Sequence, residues 1–93
     1  MLSKLPIDLE NVDKENIDKQ ILRAGIFAEL DAISFYEQMA AMTNNKDLKE
    51  ILLDIAREEK THVGEFQTLL LREDLEQAEE LEKGKEEVQE ELS

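Results

Sequence analysis

A chain of 93 residues, 41% hydrophobic and 4% aromatic, makes one domain at most and buries only a thin core unaided. Its formal net charge of −13 excludes nucleic acid and anionic membranes, which would repel it, and makes cations its natural guests. With no cysteine there are no disulfides, thiolate metal sites or cysteine nucleophiles.

Three glycines and one proline among abundant Ala, Leu, Ile, Glu, Lys and Gln predict an all-α chain. Residues 1–12, with Pro6, Asp8 and Asn11, read as an extended leader. The start Met1-Leu2-Ser3-Lys4-Leu5-Pro6 lacks the apolar core of a secretion signal. No apolar run approaches the roughly 20 residues that span a bilayer, so a cytoplasmic setting is expected.

The first helix is expected from an Asp13 N-cap to about Met42. Its stripe is Ile17, Ile21, Leu22, Ile26, Ile33, Tyr36 and Met39. Thr43-Asn44-Asn45 breaks it, and Asn45 restarts a helix from about Lys46 to Leu71. That second stripe is Leu48, Ile51, Leu52, Ile55, Glu59, His62, Val63, Phe66, Leu69 and Leu70. So short a break predicts a two-helix antiparallel hairpin, and two helices cannot enclose a core. Two hairpins forming a four-helix bundle would bury both stripes, so a homodimer is expected. Residues 1–72 are thus leader and hairpin. Residues 73–93 are an acidic tail or linker, as a solvated helix or disordered, with ten acids against two lysines.

The informative residues are polar ones in apolar slots. Glu59 lies four after Ile55 and seven before Phe66. His62 lies seven after Ile55 and seven before Leu69, and Glu29 lies seven after Leu22 and seven before Tyr36. A buried ionised carboxylate costs several kcal/mol unless it is paired or binds a metal. Glu59-Lys60-Thr61-His62 is a Glu-x-x-His motif, which sets a carboxylate and an imidazole side by side. Alone it is weak, because 24 of 93 residues are acidic.

The conjunction is stronger. Di-iron four-helix bundles take one Glu from each of two helices and Glu-x-x-His from each of the other two, and this chain carries half that set. Two copies about a two-fold axis would supply Glu29, Glu59 and His62 twice, so burial and metal binding ask for the same dimer. Carboxylates with one imidazole per ion suit Fe²⁺, each iron giving one electron to a shared O₂ or peroxide. Tyr36, two turns beyond Glu29 on the same face, is placed to hydrogen-bond a ligand carboxylate or to be ordinary core. Met39 and Met42 read as packing, Glu58 as a surface charge, and Asp31 and Glu65 as solvated acids that an iron path would use.

Ala28-Glu29-Leu30-Asp31-Ala32-Ile33-Ser34-Phe35-Tyr36, followed by Arg57-Glu58-Glu59-Lys60-Thr61-His62 with thirty residues from Glu29 to Glu59, resembles the encapsulated ferritins. The likeness runs over roughly residues 8–72. It implies a ferritin-like bundle in which Glu29, Glu59 and His62 are ferroxidase ligands to a di-iron centre shared by two subunits. It further implies Tyr36 beside the metals, a ring of five dimers, and iron storage inside an encapsulin nanocompartment. The family often has an acid where Ala28 stands, and Asp31 holds its second acidic position. A short shell-docking peptide is usual near the C-terminus. Here the chain ends Glu90-Glu91-Leu92-Ser93, which fits a fusion to the shell protein or a shortened chain. Two alternatives stand beside this reading. One is a rubrerythrin-like peroxidase half, which would lack its usual cysteine-ligated iron module. The other is a metal-free helical hairpin whose inward polar residues fix register.

Overall fold

The computed structural model describes residues 8, 10 and 13–93, so most of the leader lies outside the described residues. Three helices follow in chain order: α1 Ile17–Met42, α2 Lys46–Glu73 and α3 Leu75–Leu92. The N-cap expected at Asp13 falls at Asn16 instead, three residues later. Residues 14–16 form a turn in which the Asn16 N–H donates to the Asp13 carbonyl, and the helical ladder opens with Gln20 N–H to the Asn16 carbonyl. Asn16 is the N-cap and makes no side-chain capping bond.

The break is where the sequence puts it. Asn45 caps α2, its side-chain oxygen accepting from the Leu48 N–H at 3.0 Å, and Asp47 follows in the positive first turn. A three-residue connection returns the chain antiparallel. The cross-helix pairs Glu37–Lys60, Glu29–His62 and Arg23–Asp74 record that register.

The hairpin's own seam is built from small residues. Ala24, Ala32, Ile33 and Ala40 of α1 are buried against Leu52, Ala56 and Leu70 of α2, and no large side chain is fully buried among the described residues. Several stripe residues stay open to solvent: Ile21, Leu48, Ile51 and Leu69 are about half exposed. The physical reason is geometric, since two cylinders meet along one line and cover only one side of each stripe. Among the described residues no helix is long and apolar enough to cross a membrane.

The acidic C-terminal segment is helical. α2 and α3 are separated by Asp74 alone, and among the described residues α3 packs only against α2, giving them a flat shape of 46 × 44 × 19 Å. Asp74 closes one helix and opens the next. Its N–H donates to the Leu70 carbonyl at 2.9 Å, and its Oδ1 accepts from the Gln77 N–H at 3.0 Å. Its Oδ2 takes the Arg23 guanidinium at 2.9 Å and lies 3.9 Å from Lys19 Nζ, tying the joint back to α1.

Candidate metal centre

Glu29 sits mid-way along α1, and Glu59 and His62 share one face of α2 at i, i+3. The antiparallel register brings the three together. His62 Nδ1 lies 3.5 Å from Glu59 Oε2 and 3.6 Å from Glu29 Oε2. These three form the one group of potential metal ligands among the described residues, with one donor atom from each within 4.8 Å of the others.

Their surroundings matter as much as their spacing. The carboxylate side chains are 19% and 20% exposed, whereas His62 is 46% exposed at the flank of the hairpin. In a single chain the histidine is therefore less inward than its slot in the stripe predicts, for the same geometric reason that leaves Leu69 open. Glu29 Oε2 is buried and has no hydrogen-bond partner among the described residues. A buried carboxylate oxygen with no donor is costly, and 3.6 Å is too long for a hydrogen bond. Donors at about 2.1 Å from one ion lie about 3.0–3.4 Å apart, so the two separations from His62 Nδ1 to the carboxylates, 3.5 and 3.6 Å, need shorten only slightly for a shared cation. The donor chemistry, two carboxylates and one imidazole, fits a divalent transition metal.

The sequence profile of the family described as EncFtn-like matches residues 5–85, most of the chain. The chain belongs to the EncFtn-like family. The EncFtn-like match runs past the hairpin into α3, further than residues 8–72. The chain is 59% identical over 71 residues to the ferritin-like-encapsulin shell fusion protein of Pyrococcus furiosus, covering 76% of this chain and 21% of that protein. It is 44% identical over 57 residues to the encapsulin nanocompartment cargo protein EncC of Myxococcus xanthus, covering 61% of this chain and 44% of that protein. This chain thus spans less than half the length of either relative. The crystal structure of the encapsulated ferritin domain from Pyrococcus furiosus superposes with a TM-score of 0.82 at 50% identity, covering 97% of this chain and 94% of that one. The all-α fold is that of the encapsulated ferritin domain.

The other residues singled out in this EncFtn-like chain fall as follows. Tyr36 is half-buried two turns beyond Glu29, its ring tilted against Phe35 with centroids 5.7 Å apart. Glu58 and Glu65 are exposed and Asp31 is half-buried. Lys60 bridges to Glu37 at 3.2 Å across the outer surface. Met39 is half-buried, but Met42 is 82% exposed because α1 ends there and α2 does not cover it. Sequence reasoning missed the Asp74 joint, although Asp74 followed three residues later by Gln77 has the spacing of a helix-start signal.

Proposed function

We propose that this chain is a ferroxidase subunit in which two copies, related by a two-fold axis, place Glu29, Glu59 and His62 twice around a pair of Fe²⁺ ions. The observation that carries the reading is the buried Glu29 Oε2, which has no donor of its own and sits 3.6 Å from His62 Nδ1 beside a second carboxylate. A cation between these groups would satisfy all three at once.

Iron is the substrate. With dioxygen as oxidant, two Fe²⁺ become two Fe³⁺ while O₂ and two protons become hydrogen peroxide. The carboxylates of Glu29 and Glu59 hold the ions and, being anionic, bind Fe³⁺ more strongly than Fe²⁺, which favours oxidation. His62 presents the lone pair of Nδ1, the nitrogen that faces both carboxylates, when its proton rests on Nε2. Tyr36 supports the site from two turns along α1 as a hydrogen-bonding side chain.

The second copy does two jobs in this reading. It completes the ligand set, and it covers His62, Ile51 and Leu69, which one hairpin leaves open. The family resemblance extends the assembly to a decameric ring of five dimers. The names of the two relatives support an encapsulin shell as the setting, with this chain either fused to the shell protein or carried as cargo, and in this reading the oxidised iron is stored there.

The test is an anaerobic Fe²⁺ titration followed by admission of air, with near-ultraviolet absorbance and native mass measured together. Rapid oxidation of about one Fe²⁺ per chain in an even-numbered assembly is the expected result. Oxidation no faster than in buffer would leave only a helical oligomer.

A further inference from the structure

One turn along the hairpin from the cluster, the Phe66 side chain of α2 packs against α1 at Gly25. A Cβ placed on Gly25 would lie 3.2 Å from Cε2, 3.3 Å from Cδ2 and 3.4 Å from Cζ of Phe66, so the ring rests on bare backbone. The other two glycines of the chain, Gly64 and Gly84, have nothing within 4 Å of the same position. No described glycine has positive φ, so Gly25 is not there for backbone freedom. In a helix interior glycine is a poorer choice than alanine, and the neighbouring seam positions Ala24, Ala28 and Ala32 are all alanine. What glycine allows at residue 25 is the approach of Phe66.

The placement of that contact matters. Gly25 is four residues before Glu29 on α1, and Phe66 is four after His62 on α2, so in antiparallel register both pairs are stacked one turn apart, about 5.4 Å along the axis. We infer that Gly25 and Phe66 are a positioning pair that sets the gap between α1 and α2 and thereby the separation of Glu29 from His62. The inference rests on reading Glu29, Glu59 and His62 as a metal centre and deepens it.

The pair acts on one side of the cluster only. Glu59 and His62 lie on the same helix, and their 3.5 Å separation is set by α2 alone. Glu29 reaches His62 across the seam, and that 3.6 Å separation widens when the helices move apart. A methyl group at residue 25 forces the ring or the helix to give by a few tenths of an ångström. That is enough to loosen Glu29 while leaving the Glu59–His62 pair intact.

The experiment uses the full chain with Co²⁺ as the probe ion, whose visible absorption reports coordination without turnover. Gly25→Ala is expected to keep its helical circular dichroism and a melting temperature at or above wild type, because alanine favours helix, yet bind Co²⁺ about tenfold more weakly with altered visible bands. Phe66→Trp presses on the same contact from α2 and is expected to weaken binding likewise. The double variant Gly25→Ala/Phe66→Leu, which removes ring bulk opposite the new methyl, is expected to return affinity to within about threefold of wild type. Wild-type affinity in both single variants, or a loss that the double variant does not repair, overturns the positioning role. Failure of the wild-type chain to bind Co²⁺ overturns the metal centre itself, and the positioning role falls with it.

Discussion

Two carboxylates, Asp74 and Glu29, are both largely covered and both lie near basic groups, yet their surroundings differ in kind. Asp74 has a donor for each oxygen: the Gln77 N–H on Oδ1 and the Arg23 guanidinium, with Lys19 nearby, on Oδ2. The Gln77 N–H foremost, with the charges of Lys19 and Arg23, holds its carboxyl below the usual value despite partial desolvation. Glu29 Oε2 is buried and has no donor among the described residues. A satisfied carboxylate is an anchor that needs nothing further, whereas an unsatisfied one is an electrostatic debt that a ligand must clear. The contrast separates the part of the molecule that holds the chain's shape from the part proposed to take up an ion.

The largest expected effect breaks the contrast at the metal end. Glu29→Ala, Glu59→Ala and His62→Ala should each slow Fe²⁺ oxidation about 100-fold or more, measured by stopped-flow absorbance, while Asp74→Ala should leave the rate per assembled site within about threefold. A large loss in Asp74→Ala would mean that the two regions are not separable.

Stability should move in opposite directions at the two carboxylates. In the metal-free protein Glu29→Leu removes a buried oxygen without a partner and should raise stability by about 1 kcal/mol in urea denaturation. Added Fe²⁺ or Co²⁺ should then stabilise wild type but not this variant. Asp74→Ala removes a helix cap and its cross-link to α1, and should lower the melting temperature by roughly 5 °C.

Acid sharpens the same comparison. Because the folded-state pKa of Asp74 is depressed, its contribution is fully present above the unfolded carboxylate value of about 3.9 and is lost as pH falls through the lower folded value. The stability gap between wild type and Asp74→Asn should therefore hold at pH 6 and close below about pH 4. A gap that persists at lower pH would assign the joint to packing instead of charge. The smallest effect is expected at Tyr36. Tyr36→Phe should keep the metal stoichiometry and slow oxidation by less than about tenfold, the size expected of the proposed hydrogen-bonding role.

The hairpin was legible because its information is local. Apolar residues at three- and four-residue spacing mark each helix, and Thr43-Asn44-Asn45 marks the break to the residue, since Asn45 caps through its own side chain. The start of α1 was less legible. Asp13 and Asn16 are both acceptable caps, and the choice fell to the turn that ends at Asn16. The cluster was legible for a related reason: Glu29, Glu59 and His62 are polar residues in apolar slots, and such exceptions to a pattern are visible without coordinates.

Periodicity and chain length, read without coordinates, suffice for an all-α chain, one hairpin with its break and the three ligand candidates, and they lead to the expectation of a partner. Which pairs meet across the seam is settled by the packed helices. Their packing set Glu29 3.6 Å from His62 with an unpartnered oxygen, laid the Phe66 ring on Gly25, and recruited Lys19 and Arg23 to Asp74 from more than fifty residues away. Those contacts depend on the axial register and spacing of two packed helices, which ridges meeting grooves settle and no local pattern encodes.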